Sequence, residues 1–180
     1  MRRIRVVLKN LTEGNISFVE VSESDLEFVL AAEQGAKEGR FVGGWDKSEH
    51  RAAMRDADVA YWLIRMENRP VGFVILRGLG SKDRSLELKR ILLSETGKGY
   101  GRAALRLVKR LAFHTLHAHR LWLDVLEHNH RARHLYLSEG FVVEGTLREC
   151  MKIGNSFASL VVMSMLEADY RDIRPTAETS

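Results

Sequence analysis

The chain has 180 residues, 45% of them hydrophobic and 29% charged, with a net charge of +4. This length predicts one domain over 1–180, and the composition excludes a disordered, collagen-like or membrane-spanning chain. Without a dense basic block, so small a charge excess argues against nucleic acid as a partner. The single cysteine, Cys150, and an apolar run after the first arginines that is too short for a secretory signal predict a cytoplasmic protein.

The N-terminal part of the chain predicts one strand and two helices. Residues Ile16–Val21 alternate apolar and polar side chains, as a half-buried strand does. Ser24 stands three residues before Glu27, a capping-box spacing that predicts a helix from here to about residue 38. A second, short helix is predicted over Ser48–Arg55, inside the segment 39–58, whose structure the sequence defines least.

An antiparallel meander follows these helices. Val59–Met66 and Val71–Arg77 are rich in β-branched and aromatic residues, and the connection between them is so short that they must pair antiparallel. After a polar turn, Leu86–Leu93 is predicted as the third strand of the meander.

The second half of the chain alternates helices with strands. Apolar residues on every third or fourth position predict a long helix over Tyr100–Ala118 and a short one over Asn129–Glu139. Three further strands are predicted over Leu121–Leu126, Phe141–Thr146 and Leu160–Leu166. The elements together predict a single α/β domain with a mixed sheet flanked by helices, a core over about 15–167 and a tail over 168–180.

The segment between the third meander strand and the long helix has the composition of a phosphate-binding loop. Gly97, Gly99 and Gly101 alternate with larger residues, and the missing Cβ atoms let a ligand approach the backbone closely. The helix that follows directs unpaired N–H groups and the positive end of its dipole at the loop. Lys98 and Arg102 add positive charge, so the segment predicts a site for a phosphorylated ligand.

One ligand class that fits this loop is a dinucleotide. Gly99, Gly101 and Ala104 satisfy a loose dinucleotide fingerprint, and Asp124 follows about twenty residues later. This pattern favours a NAD-dependent oxidoreductase, although the fingerprint normally opens a βαβ unit and here follows a meander. A tight turn between strand and helix that binds nothing is a further interpretation.

The loop also resembles the acetyl-CoA loop of the GNAT family of N-acetyltransferases, which has the pattern (Q/R)-x-x-G-x-(G/A). Gly99 and Gly101 match these glycines, and Thr96 replaces the leading Gln or Arg. From Asn129 to Gly145 the chain is similar to the same family over the pattern N-x-R-A-x-x-L-Y-x-x-x-G-F-x-x-E-G. The order of the predicted elements agrees as well, and the ribosomal-protein-alanine and polyamine N-acetyltransferases are the most similar subgroup.

This resemblance implies a parallel pair of splayed strands with acetyl-CoA between them. Backbone N–H groups of the loop would hold the diphosphate, and the end of the preceding strand would pair with the pantetheine arm. Asn129 would bond this arm, cap its own helix, or do both. The cofactor-binding residues implied in this way are Ile91, Leu92, Leu93, Thr96, Gly97, Lys98, Gly99, Tyr100, Gly101, Arg102, Asn129 and Arg131.

The resemblance gives Tyr136 the role of the general acid that protonates the departing thiolate. A packing role is the alternative, since Tyr136 shares a helical stripe with apolar neighbours. Glu87 lies on the strand face opposite its apolar neighbours and is the candidate general base, or else an ordinary solvent-facing glutamate. Glu33 and Asp124 are further candidates for the base.

The implied reaction is transfer of an acetyl group from acetyl-CoA to a primary amine of a small molecule, a polyamine or a protein N-terminus. Aromatic and carboxylate side chains hold cationic amines, and the candidates are Glu33, Trp45, Asp46 and Glu127. Six histidines between 114 and 134 lack cysteines or paired carboxylates to complete a ligand set, so no metal is predicted. A homodimer is expected; the alternative functions are a NAD-type oxidoreductase and a non-catalytic module that senses CoA.

Overall fold

The fold is built on one mixed sheet. A computed structural model describes residues 11–38, 44–95 and 97–173. The strands are β1 (Thr12–Glu13), β2 (Ile16–Glu20), β3 (Val59–Met66), β4 (Arg69–Arg77), β5 (Ser85–Leu93), β6 (Arg120–Leu126), β7 (Val142–Ile153) and β8 (Ser156–Leu166). The helices are α1 (Leu26–Glu38), α2 (Lys47–Arg55), α3 (Tyr100–Arg110), α4 (His130–Ser138) and α5 (Glu167–Ile173). The strand order β1-β2-β3-β4-β5-β6-β8-β7 confirms the predicted α/β class.

β5 and β6 run parallel and separate soon after they begin. The strands β2 to β5 pair antiparallel with their sequence neighbours, as the predicted meander requires. Between β5 and β6 the paired residues are Ser85 with Arg120, Leu86 with Leu121 and Glu87 with Trp122. Beyond Glu87 and Trp122 the strands continue without pairing, and a gap opens between their C-terminal halves. This confirms the predicted splayed pair.

A β-bulge at Lys89 reverses the faces of β5. Ile75 of β4 lies opposite Arg90, and the next residue, Leu76, lies opposite Leu88, so Lys89 has no partner on β4. Leu88 therefore points to one side of the sheet and Arg90, two residues later, to the other. We call the side of Leu88 the back face and the side of Arg90 the front face.

The helices divide between the two faces. The back-face core joins Leu88 of β5 to the apolar side of α3, to Tyr136 of α4 and to Tyr170 of α5. A smaller front-face core joins apolar residues of α1 and α2 to Phe73 and Leu92. Since α1 and α2 contact β3, β4 and β5, the front face of β6 and β8 is the more open part of the sheet among the described residues. No helix of the described ranges is both long and apolar enough to cross a membrane.

The cap of the first helix lies two residues earlier than predicted. The Ser22 N–H donates to Asp25 Oδ2 over 2.8 Å, and the Ser22 hydroxyl donates to the same oxygen. The predicted capping box of Ser24 and Glu27 is therefore wrong. Because Asp25 supplies the carboxylate, a 3-10 turn over Glu23–Asp25 precedes α1.

Several predicted boundaries in the second half are also wrong. β7 continues to Ile153 beyond the predicted end at Thr146, and β8 begins at Ser156 before the predicted start at Leu160. The helix predicted over Tyr100–Ala118 is α-helical only to Arg110 and continues as a π-helical turn, Leu111–Thr115. The first part of the predicted tail is α5, whose Tyr170 stacks on Phe113 with the ring centroids 4.8 Å apart. A helix this short depends on such packing, which local sequence does not reveal. Residues 174–180 lie outside the described ranges.

Candidate active site

The loop between β5 and α3 has the backbone of an anion cradle. Gly97 and Gly99 have φ angles of +84° and +79°, which residues with a side chain rarely adopt. Gly99 caps α3 without a side-chain hydrogen bond, and the first N–H groups of a helix have no partner within it. Among the residues that the structure describes, a Cβ atom at either glycine would meet nothing within 4 Å, which leaves room for a ligand above the backbone. The predicted loop residue Thr96 lies outside the described residues.

Both cations of the loop are paired with carboxylates. Lys98 Nζ lies 2.6 Å from one carboxylate oxygen of Glu95, and Arg69 donates to the other. The bond from Arg69, and then that from Lys98, lowers the pKa of Glu95 to about 2. Arg102 donates to a carboxylate oxygen of Glu139 over 2.5 Å. The carboxylates thus fix positive charges on the two sides of the loop.

The end of β5 has one edge open to a ligand. Ile91, Leu92 and Leu93 pair with β4 on one side and, within the described residues, face no strand on the side of the gap. Gly72 of β4 permits the close pairing, because a Cβ atom there would lie 2.1 Å from the Leu92 carbonyl oxygen. The backbone groups on the gap side can therefore pair with an extended ligand, as predicted for the pantetheine arm.

Tyr136 lies in the back-face core. Its relative exposure is 8%, and its ring centroid lies 5.8 Å from that of Phe141, so its packing role is confirmed. Burial and, second, the negative charge of Asp124 raise the pKa of Tyr136 above the ordinary value of about 10. The hydroxyl therefore stays protonated at neutral pH, as a proton donor must. A role in catalysis stays a prediction.

Asn129 caps α4. Its Oδ1 accepts a hydrogen bond from the Ala132 N–H over 3.2 Å, which is the capping contact expected from the sequence. The side-chain NH2 group makes no hydrogen bond within the described ranges. Arg131 is exposed in the first turn of the same helix. Both side chains can reach a ligand, and their contacts with a cofactor stay predictions.

Glu87 lies on the front face of β5, as its alternation predicted. It is half-buried, with Trp122 of β6 and Arg77 of β4 as its cross-strand neighbours. Its carboxylate lies 3.2 Å from Lys89 Nζ. This ion pair occupies one of the oxygens with which Glu87 would accept a proton.

The structure brings Glu33 and Trp45, two predicted acceptor-binding residues, into one buried cluster. The Trp45 N–H donates to Glu33 Oε2 over 3.0 Å, and Arg90 forms an ion pair with the same carboxylate. The Arg90 guanidinium also lies 4.8 Å from the centre of the Trp45 ring, and that of Arg77 lies 5.1 Å from it. Cations of the chain itself therefore contact both side chains.

The other two predicted acceptor-binding residues lie outside this cluster. Asp46 caps α2, and its Oδ1 accepts a hydrogen bond from the Glu49 N–H over 2.9 Å. Glu127 is exposed directly after β6. Contacts of either side chain with an acceptor stay predictions.

His50 and Tyr61 complete the front-face cluster, and the sequence did not identify them as site residues. His50 is fully buried, with Nδ1 2.8 Å from the Tyr61 hydroxyl and Nε2 3.5 Å from Glu33 Oε1. Burial and then the charge of Glu33 raise the pKa of Tyr61. One signal was present in the sequence, because His50 and Ala53 have the spacing of a buried helix face.

The histidines predicted not to bind metal lie in the second half of the chain. Within the described ranges, no three histidine, cysteine, aspartate or glutamate side chains are grouped so that they could hold a metal ion. His114 instead packs its ring against Tyr170, with the centroids 5.3 Å apart.

Comparisons with known proteins identify the family. A family model described as the acetyltransferase (GNAT) family matches residues 26–141. The spermidine N(1)-acetyltransferase of Vibrio cholerae is 30% identical over 126 residues, which are 69% of this chain and 68% of that protein. The spermidine N(1)-acetyltransferase of Escherichia coli K12 is 27% identical over 127 residues, which are 70% of this chain and 66%, just under two thirds, of that protein.

Solved structures share the fold. The crystal structure of spermidine N-acetyltransferase from Vibrio cholerae in complex with CoA and spermine has a TM-score of 0.79 at 22% identity, over 87% of this chain and 98% of that one. A dodecameric structure of the Vibrio cholerae enzyme has a TM-score of 0.76 at 22% identity, over 90% and 99% of the two chains. The chain therefore belongs to the acetyltransferase (GNAT) family, which confirms the predicted acetyl-CoA-dependent N-acetyltransferase against the NAD-type oxidoreductase and the non-catalytic module.

Proposed function

We propose that the protein acetylates a primary amine of a polyamine. The relatives at 30% and 27% identity are spermidine acetyltransferases, which supports this acceptor class. The observation that carries the proposal is the gap between β5 and β6, which has an anion cradle beyond one end and carboxylates on its front side. Of these two carboxylates, Asp124 has no ion-pair partner among the described residues and attracts a polycation by its charge, whereas Glu87 is paired with Lys89.

The residues around the gap fit acetyl-CoA. The open backbone at Gly97 and Gly99 suits a diphosphate, which helix N-termini and neighbouring cations bind. The open edge of β5 suits an amide-containing arm, which can pair with a strand. Acetyl-CoA, when bound, supplies the acetyl group as a thioester. The remaining contacts that we assign to the cofactor are those of Lys98, Tyr100, Gly101, Arg102, Asn129 and Arg131.

Tyr136 is the general acid in this proposal. Burial keeps its hydroxyl protonated, and a phenol beside the departing thiolate can give up that proton as the bond to sulfur breaks. A backbone N–H at the end of β5 stabilises the negative charge that develops on the acyl oxygen. Glu87 is the base that the sequence predicts, with one of its oxygens bound by Lys89.

Acetylation of spermidine by the purified chain tests the proposed function. Release of free thiol from acetyl-CoA is measured with spermidine, with spermine and with a peptide that begins with alanine. We expect kcat/KM for the polyamines to exceed that for the peptide about tenfold or more. A faster reaction with the peptide would assign protein N-termini as the acceptor instead. If no amine released thiol above the rate without acceptor, the proposal would be wrong.

We further propose that the protein self-associates through the hairpin of β7 and β8. β7 is the last strand of the sheet, and Val142 and Leu147 on it are 57% and 50% exposed. Phe157 on β8 is 61% exposed. An edge strand with exposed apolar side chains pairs readily with another chain. The dodecameric structural neighbour supports a homo-oligomer.

Serine in place of both Leu147 and Phe157 is expected to produce a smaller assembly than the wild type. The substitutions remove apolar surface from the hairpin, and both side chains are exposed, so the fold should stay intact. Light scattering after size exclusion gives the mass. Leu137→Ser is the control, because Leu137 is 50% exposed on α4 and lies outside the hairpin. A monomeric wild type, or a double variant of unchanged mass, would contradict self-association through this surface.

A further inference from the structure

Asp124 lies on the front face of β6 beside the gap. Leu121, Leu123 and Val125 belong to the back-face core, so strand alternation places Trp122 and Asp124 on the front face. Trp122 is the last residue of β6 that pairs with β5, and Asp124 lies two residues beyond it. The gap is therefore already open at Asp124.

The surroundings of Asp124 leave its charge available to a ligand. The side chain is half-buried and makes no hydrogen bond or ion pair with the part of the chain that the structure describes. On the neighbouring strand β8, the residue opposite Asp124 is Val162, which is apolar. Glu87, by contrast, is paired with Lys89 at 3.2 Å. A partly desolvated carboxylate without a cationic partner is unfavourable, and an external cation removes that cost.

Asp124 is also close to the general acid. Tyr136 belongs to the same back-face core as Leu123 and Val125, the residues on either side of Asp124 along β6, and the negative charge of Asp124 contributes to the raised pKa of Tyr136. The carboxylate comes from the front of β6, whereas the phenol comes from α4 behind it. A nitrogen atom bound by Asp124 would therefore lie near the hydroxyl that protonates the leaving group.

We propose that Asp124 binds the ammonium group of the acceptor and orients its nitrogen toward the thioester, an assignment that rests on the proposed function. The ammonium loses one proton to Glu87, directly or through water, and the nitrogen lone pair forms the C–N bond while the C–S bond breaks. Tyr136 gives its proton to the sulfur and regains one from the nitrogen. The Asp124 carboxylate stabilises the positive charge that the nitrogen carries as the bond forms.

Asp124→Asn tests this role, because it keeps the size of the side chain and removes the charge. We expect kcat/KM for spermidine to fall about 10- to 100-fold, the range for a lost charged hydrogen bond, with an unchanged Kd for CoA. Asp83→Asn, at an exposed position in the turn before β5, should match the wild type. If Asp124→Asn does not bind CoA, Asp124→Glu is measured instead and should retain part of the activity. An unchanged kcat/KM would overturn the assignment.

A binding measurement separates this assignment from the proposed function. Spermidine is titrated into the CoA-loaded wild type and into CoA-loaded Asp124→Asn by calorimetry. If the wild type acetylates no amine, the proposed function is wrong, and weaker spermidine binding by the variant would still support Asp124 as the amine-binding residue. Equal binding by the two proteins, or no binding by the wild type, would overturn the assignment.

Discussion

Phenylalanine in place of Tyr136 is expected to lower kcat about 100-fold without changing the Kd for CoA. The substitution removes one hydroxyl and keeps the ring that packs against Phe141, so the back-face core keeps its shape. The raised pKa means that the wild-type phenol carries its proton across the neutral range, and phenylalanine removes that proton together with the hydroxyl. Steady-state kinetics with spermidine at saturating acetyl-CoA and calorimetric titration of CoA measure the two quantities.

Tyr170→Phe is the matched control for this experiment. Tyr170 is also buried and stacks on Phe113, but it lies on α5, away from the gap. Removal of the Tyr170 hydroxyl should leave kcat unchanged, whatever the effect of the substitution on stability. If Tyr136→Phe kept kcat within about threefold of the wild type, Tyr136 would have no part in the chemistry. A loss of CoA affinity in Tyr136→Phe would instead indicate a structural role.

The parts of the fold that follow local patterns could be predicted. The predicted ends of β3, β4 and β5 lie within two residues of the observed ends, because alternating apolar residues and turn residues are local signals. The glycines at 97 and 99 lie where the loop backbone has positive φ angles, which favour glycine, and their binding of a phosphate stays a prediction. The splayed strands, by contrast, came from the resemblance to a family and not from any single residue.

The front-face cluster could not be predicted, because it depends on one irregularity. Alternation from Leu86 and Leu88 would place Arg90 on the back face among apolar side chains. The bulge at Lys89 moves Arg90 to the front, where it meets Glu33 of α1. Nothing in the residues of β5 marks the position of the bulge, since it is set by pairing with β4.

Ion pairs between distant segments could not be predicted from the sequence either, because they depend on tertiary packing. Arg102 was predicted only as a phosphate ligand, yet in the structure it donates to Glu139 and to the Ser138 hydroxyl at the end of α4. The two helices are separated by β6, so no local spacing indicates that they meet. Glu139 received no role in the sequence analysis, although several cations of α3 converge on it.

Glu139 joins α3 to α4 through a buried ion-pair cluster. Its carboxylate, only 5% exposed, accepts hydrogen bonds from Arg102 over 2.5 Å, Arg106 over 3.3 Å and Lys109 over 2.8 Å. Lys109, 4% exposed, also donates to the Glu139 carbonyl oxygen over 2.8 Å. Burial alone would raise the pKa of Glu139, but the hydrogen bonds, that from Lys109 first, outweigh it and hold the pKa below its usual value.

Glutamine in place of Glu139 is expected to lower the free energy of unfolding by about 3–5 kcal/mol. The variant leaves the Lys109 ammonium buried without a counter-charge, and urea denaturation at neutral pH measures the loss. Glu144→Gln is the matched control. Glu144 also pairs with an arginine, Arg120, but its side chain is 40% exposed, so we expect a loss below about 1 kcal/mol.

If the unpaired Lys109 ammonium causes the loss of stability, two further results are expected. Because the folded-state pKa of Glu139 is lowered, its contribution to stability is present above the ordinary value of 4.5 and is lost as the pH falls through the folded-state value. The difference between the wild type and Glu139→Gln should therefore shrink in acid. Lys109→Met combined with Glu139→Leu removes both buried charges and should restore most of the lost stability. A double variant no more stable than Glu139→Gln would mean that packing, and not the unpaired ammonium, causes the loss.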